Sequence, residues 1–157
     1  MSQQQPNSNS AIEHLCRLAD VQKREKWPNV KPAYIPKAKY DDRTANGLTK
    51  CIVDFINLSG GMATHIQSQG QYRPGAGGQK GTFTYGSTRR GTADIHAVFY
   101  GKHLSVEVKI GKDRQSQAQK AVQSDVERAG GYYVIVRSFG GFYQWWTQSF
   151  LSNVILP

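Results

Sequence analysis

The sequence predicts an α/β domain in which helices flank a mixed β-sheet, and three observations predict it. Residues 95–110 read as two strands joined at Gly101-Lys102, because apolar residues alternate along the second of them. Segments 45–58 and 116–129 carry apolar residues at helical spacing. The near-continuous apolar run 132–136 follows the second helix, as a buried strand follows a crossover. The predicted order is helix, strand, hairpin, helix, strand, without internal repeats.

Taken in order, residues 1–10 are Ser, Gln, Asn and Pro around few apolar anchors and read as a disordered start. Ile12, Leu15, Cys16 and Ala19 place a helix over 11–26, which Trp27-Pro28 ends. Residues 29–43 form a linker. It mixes Lys31, Lys37, Lys39 and Arg43 with Tyr34 and Tyr40, which suits either a DNA arm or a solvated linker whose tyrosines pack on the domain. Leu48, Cys51, Ile52, Phe55 and Ile56 give the first core helix one apolar face, and Gly60-Gly61 closes it. A strand over 62–67 follows. Residues 70–91 then read as a mobile, glycine-rich loop with Arg73, Lys80, Arg89 and Arg90 placed to meet phosphates. On helix 116–129, Ala118, Ala121, Val122, Val126 and Ala129 are expected to face inward. A final helix over 140–151 packs Phe142, Trp145, Trp146 and Phe150 into the core. These elements divide the chain into an N-terminal extension, 1–44, and a domain, 45–157.

With 157 residues the chain is long enough to bury a core without disulfide staples. Its 20 Lys and Arg against 11 Asp and Glu give a net charge of +9, which points to a polyanionic partner. Cys16 and Cys51 lack metal-ligand spacing and sit among apolar neighbours, so they are expected to be reduced core residues. That, together with an N-terminus without an apolar signal region, suits a cytoplasmic protein, bacterial or in the host cell if viral. No apolar run approaches the ~20 residues of a membrane helix.

Along strand 103–110, Leu104, Val106, Val108 and Ile110 share one face, and His103, Ser105, Glu107 and Lys109 the other. A tight hairpin brings Asp94, at the start of the first strand, within reach of Glu107 on the second. Two carboxylates held together repel each other. A Mg²⁺ ion removes that repulsion and keeps positions open for water and phosphate oxygens. Lys109 adds a positive charge aimed at a phosphoryl group. Alone, Glu-x-Lys is weak evidence, since it also describes an exposed pair on a solvated sheet face. His96 and His103 read as polar residues of that face.

The longer run is more specific: Gly91-Thr92-Ala93-Asp94-Ile95, the hairpin, Val106-Glu107-Val108-Lys109, Ser116-Gln117-Ala118-Gln119, then Gly130-Gly131-Tyr132-Tyr133-Val134-Ile135-Val136. It resembles the PD-(D/E)XK nucleases, and within them the VRR-NUC branch. The resemblance covers about residues 45–139 and implies a restriction-endonuclease-like αβββαβ core with an N-terminal helical extension. It implies a catalytic set of Asp94, Glu107, Lys109 and Gln119. Asp94, Glu107 and the Val108 carbonyl would hold Mg²⁺, with Mn²⁺ as substitute. Standalone members of that branch resemble Holliday-junction resolvases, which implies a homodimer and structure-selective cutting of branched DNA. A non-catalytic DNA-binding module with this fold and an RNA-directed nuclease are the alternatives. Two features depart from the pattern. The first core helix has no Glu, which related enzymes often place there, and Asp54 is its only acid; Ala93 stands where a Pro is usual. Ser116 and Gln119 also form a capping box, a role compatible with a place in the site.

Overall fold

A computed structural model describes residues 8–66, 71–75, 77, 79–84 and 89–155. The first helix, α1 (Ser8–Lys26), begins three residues before its expected start, so Ser8, Asn9 and Ser10 are helical; residues 1–7 of the expected disordered start lie outside the described residues. Ala11 and Leu15 of α1 are buried in the same apolar cluster as the core of the domain. Helix α2 (Ala45–Leu58) starts at Thr44, whose hydroxyl accepts from the Gly47 amide, and buries Leu48, Cys51, Ile52, Phe55 and Ile56.

Strands β1 (Met62–His65), β4 (Ile95–Phe99), β5 (Lys102–Val108) and β6 (Tyr132–Val136) form a four-stranded mixed sheet in the order β1-β4-β5-β6. β1–β4 and β4–β5 are antiparallel; β5–β6 is parallel, joined through helix α3 (Gln117–Arg128). The expected 62–67 strand ends at His65, and Gln67 lies outside the described residues.

Helices cover both faces of the sheet. On one, α2 and the C-terminal helices pack against Ile95, Ala97, Phe99, Leu104, Val106 and Val136. The C-terminal segment runs from α4 (Phe139–Trp145) through a π-helical turn (Trp146–Phe150) into α5 (Leu151–Ile155). Trp146 and Phe150 are fully buried there, and Trp145 stacks on Phe150, so the tryptophan pair is core as expected. On the other face, α3 contributes Val122 to a small cluster with Ala93 and Tyr133. The expected inward face of α3 is narrower than the sequence suggests. Ala121 and Ala129 are exposed, because α3 packs its apolar side chains mainly over β6, where a single stripe suffices.

Two segments expected to be irregular are organised. Within the glycine-rich stretch, β2 (Gln71–Arg73) and β3 (Thr82–Thr84) pair antiparallel as a separate two-stranded ribbon. This corrects the expectation of a mobile loop for the described part of 70–91. The 29–43 linker, which includes a 3₁₀ turn at Pro32–Tyr34, is tied to the body. The Asp20 carboxylate accepts from the Ala38 amide, Lys23 donates to the Pro36 carbonyl, and the Asp42 carboxylate accepts from the Phe139 amide.

Gly91 has φ +86°, and a Cβ placed on it would run into the Ala118 and Gln119 backbone at the start of α3. The turn before β4 therefore packs directly against the first turn of α3. Gly91→Ala should destabilise the fold by about 2 kcal/mol or more, from left-handed strain plus overpacking. Urea denaturation measures it, and an unchanged midpoint would contradict this packing.

Candidate active site

The β4–β5 register pairs Ile95 with Val106 and His96 with Ser105, so Asp94 comes opposite the Glu107–Val108 end of β5. One Asp94 carboxylate oxygen accepts from the Val108 amide at 2.8 Å, and the Asp94 carbonyl accepts from the Ile66 amide. Asp94 is thus fixed by two strands at once.

Glu107 is only 2% exposed and Lys109 6%, so neither is an exposed pair on a solvated face. Glu107 points under α3, on the opposite face from Val106 and Val108. Its carboxylate accepts from the Gln119 amide group and from the Tyr133 hydroxyl, and pairs with the Lys109 ammonium at 2.9 Å. Lys109 also reaches Asp113 at 3.2 Å and the Gln119 side-chain oxygen at 3.2 Å. Burial pushes the Glu107 carboxyl above its ordinary value and the neighbouring Asp94 charge adds to this, while Lys109 and Tyr133 pull it back. Burial also works against the charged form of Lys109, but its bonds to Glu107 and Asp113 outweigh that and raise its pKa. The Tyr133 hydroxyl is raised by burial and by the Glu107 charge.

Gln119 performs two tasks with one side chain. Its oxygen accepts from the Ser116 amide and its amide group binds Glu107, while its own backbone amide bonds the Ser116 hydroxyl. The capping box therefore holds Gln119 in the position from which it reaches Glu107 and Lys109.

Asp94, Glu107, Val108, Lys109, Ser116 and Gln119 line a cavity of about 670 Å³, together with Asn46, Thr49, His65, Gly91, Thr92 and Asp113. The cavity wall carries three carboxylates, Asp94, Glu107 and Asp113, against one ammonium. Among the described residues, no three His, Cys, Asp or Glu side chains gather into a protein-only metal cage. The oxygens present nevertheless fit a hard cation that keeps much of its water. Mg²⁺ needs one or two carboxylates, and Asp94, Glu107 and the Val108 carbonyl supply donors of that kind at a polar, roomy wall.

Several site residues were not singled out by sequence reasoning. Asn46, Thr49 and His65 come from α2 and β1, distant in sequence, and carry no local motif. Tyr133 reaches Glu107 only through the parallel β5–β6 register. Asp113 reaches Lys109 across the turn after β5, which Arg137 pins by donating to the Gly111 and Asp113 carbonyls. Asp54 does not line this cavity; it bonds Lys50 and Tyr40 on the outer side of α2. His96 and His103 stand edge to face on the sheet surface, outside the cavity.

The basic residues are dispersed. Arg73 and Lys80 are exposed on the ribbon segment, and Arg90 is exposed near Asp94. Arg89 pairs with Asp125 of α3. In the linker, Lys31, Lys37 and Lys39 are exposed, whereas Arg43 is clamped by Asp41. Tyr40 packs against Lys50 and Asp54, while Tyr34 stays exposed.

No protein-family model and no curated protein sequence matches this chain.

The double role of Gln119 is testable. Ser116→Ala and Gln119→Ala should each cost about 1 kcal/mol in urea denaturation through the lost cap. Only Gln119→Ala should raise the Glu107 titration further, because it removes a donor to the carboxylate. Carbon-13 NMR of the Glu107 carboxyl reads this, and equal shifts in both variants would assign Gln119 to capping alone.

Proposed function

We propose that this chain is a metal-dependent nuclease of the PD-(D/E)XK type, similar to the VRR-NUC branch, that hydrolyses phosphodiester bonds in DNA. The observation that carries the reading is the convergence of Asp94, Glu107, Lys109 and Gln119, from two adjacent strands and a helix start, on one polar cavity. The order α2, β1, β4, β5, α3, β6 fits the αβββαβ core of a restriction-endonuclease-like fold, with the β2–β3 ribbon inserted between its first two strands. The net charge of +9 suits a polyanionic substrate. Among the described residues, no helix is long and apolar enough to cross a membrane.

Asp94 and Glu107 would hold Mg²⁺ or Mn²⁺, with the Val108 carbonyl beside them. When bound, such a cation would supply water activation and polarisation of the scissile phosphate. The chain's own groups do the rest. Lys109 has a raised pKa and stays charged, so it donates hydrogen bonds to a phosphoryl oxygen as charge develops. Gln119 and Tyr133 orient the Glu107 carboxylate. Lys80 and Arg90, exposed before β4, contact flanking phosphates, and Arg89 does so by exchanging its Asp125 partner, since exposed ion pairs are weak. The same reading proposes branched DNA as substrate, a homodimer as the working form and the cytoplasm as its compartment.

Asp94→Ala and Glu107→Ala should lower cleavage about 10³-fold or more, and Lys109→Ala about 10²–10³-fold, with unchanged circular dichroism. Excess EDTA should stop the reaction and Mn²⁺ should restore it. Because the Glu107 carboxyl is raised, protonation removes this ligand at a higher pH than for an ordinary carboxylate. At limiting Mg²⁺, where proton and cation compete for the carboxylate, activity should therefore fall early on the acid side. Single-turnover cleavage of a labelled DNA panel with Mg²⁺ checks all three, and full activity of Glu107→Ala would overturn the assignment.

A further inference from the structure

Helix α2 supplies one wall of the candidate active site, and three polar side chains on that side have no task in the fold. Thr49 is only 7% exposed, yet its hydroxyl has no hydrogen-bond partner among the described residues. Buried hydroxyls are ordinarily bonded, because removing one from water without a partner is unfavourable. Thr49 lines the cavity, so the partner that the chain does not supply can come from what fills the cavity. Asn46, three residues earlier, shares its face of the helix. His65, at the end of β1, lines the same cavity. Both are exposed, and neither side chain is hydrogen bonded to a described residue.

Charge divides this cavity. Its carboxylates, Asp94, Glu107 and Asp113, come from the turn before β4, from β5 and from the turn after β5, whereas the lining from α2 and the end of β1 contains none. The positive end of the α2 dipole opens there, at Ala45 and Asn46. An anion therefore meets donors and no opposing charge on the α2 side. A second hollow of about 360 Å³ continues the cavity in that direction, because Asn46, Thr49 and His65 line both. Lys50 and Asp54 stand in its wall, paired at 2.6 Å. The Lys50 side chain is 64% exposed, so exchanging Asp54 for a phosphate costs little, and Asp54 keeps the Tyr40 hydroxyl as a donor.

We propose that Asn46, Thr49 and His65 seat the phosphate next to the scissile one, and that the cleaved strand leaves the cavity across α2 past Lys50. The inference rests on the nuclease reading and adds a substrate requirement to it: a second charged phosphate beside the bond that is cut. The Asn46 amide group, the Thr49 hydroxyl and a ring N–H of His65 are donors that suit non-bridging phosphate oxygens. These three are positioning residues, since the reacting groups are Asp94, Glu107 and Lys109. Holding the neighbouring phosphate fixes the scissile one against the carboxylates, and a small misplacement there slows the reaction.

The test pairs changes in the protein with changes in single phosphates. The main cut made by the full chain with Mg²⁺ is mapped on an end-labelled DNA. That DNA is then made with a neutral methylphosphonate in place of the phosphate on one side of the cut or on the other. Single-turnover cleavage below saturation reads binding and alignment together. One of the two methylphosphonates should slow the parent about tenfold or more. Asn46→Ala/Thr49→Val/His65→Ala should cut the unmodified DNA about tenfold more slowly or worse, with unchanged circular dichroism. The same methylphosphonate should then slow this variant further by less than about twofold, because the contact it removes is already gone. Thr49→Ser, which keeps the hydroxyl, should stay within about twofold of the parent. Should the triple variant lose its circular dichroism, Asn46→Ala/His65→Ala, altered only at exposed positions, enters the same comparison. Full additivity of the protein and phosphate changes overturns the proposal, and so does a parent that neither methylphosphonate slows. A parent that cuts no DNA with Mg²⁺ overturns the nuclease reading and the seat with it, whereas cleavage with additive effects overturns the seat alone.

Discussion

The pairing register between β4 and β5 is the constraint on which the candidate site depends. With Ile95 opposite Val106, Asp94 reaches the Val108 amide and Glu107 turns under α3. A slip of one residue would send Glu107 and Ser105 into the face occupied by Leu104, Val106 and Val108, and would turn those three into the polar cluster under α3. The apolar core on one side of β5 therefore also fixes the charged groups on the other. The Asp94–Val108 hydrogen bond closes the hairpin at the end where the carboxylates meet. Gly91 then lets the preceding turn touch the start of α3, which brings in Gln119.

Placing Glu107 and Lys109 out of water is unfavourable, and their mutual attraction offsets that only with further hydrogen bonds. Those bonds come from Gln119, Tyr133 and Asp113. The balance is incomplete: Glu107 remains raised by burial and by Asp94, so its charged form is held at some expense to the folded state. Perturbed, partnered groups in a cavity are where chemistry tends to reside. A carboxylate pair that repels within a polar hollow is also one that gains from a cation.

Much of this was legible in sequence because it is local. The alternation along β5, the apolar face of α2 and the Ser116–Gln119 spacing each lie within one element, so their period reveals them. What was hidden depends on contacts between distant residues. Asp42 bonds the Phe139 amide, 97 positions away, and no pattern near Asp42 announces it. The sequence therefore left the linker open between a DNA arm and a solvated segment packing its tyrosines on the domain. His65 reaches the cavity, and Tyr133 reaches Glu107, through strand order, which periodicity does not give. The β2–β3 ribbon escaped because its strands are three residues each and set among glycines, too short for alternation to register. Ala121 and Ala129 were misplaced because alanine fits either face of a helix and carries little directional information.

The claim that Asp94 and Glu107 are brought together for a divalent cation can be tested without any substrate. Mn²⁺ titration of the intact chain by isothermal calorimetry, repeated for Asp94→Asn and Glu107→Gln, isolates the two charges while keeping side-chain shape. The account predicts one Mn²⁺ per chain in the parent and loss of that site in each variant. Binding of equal strength in all three proteins, or none in the parent at millimolar Mn²⁺, would contradict it.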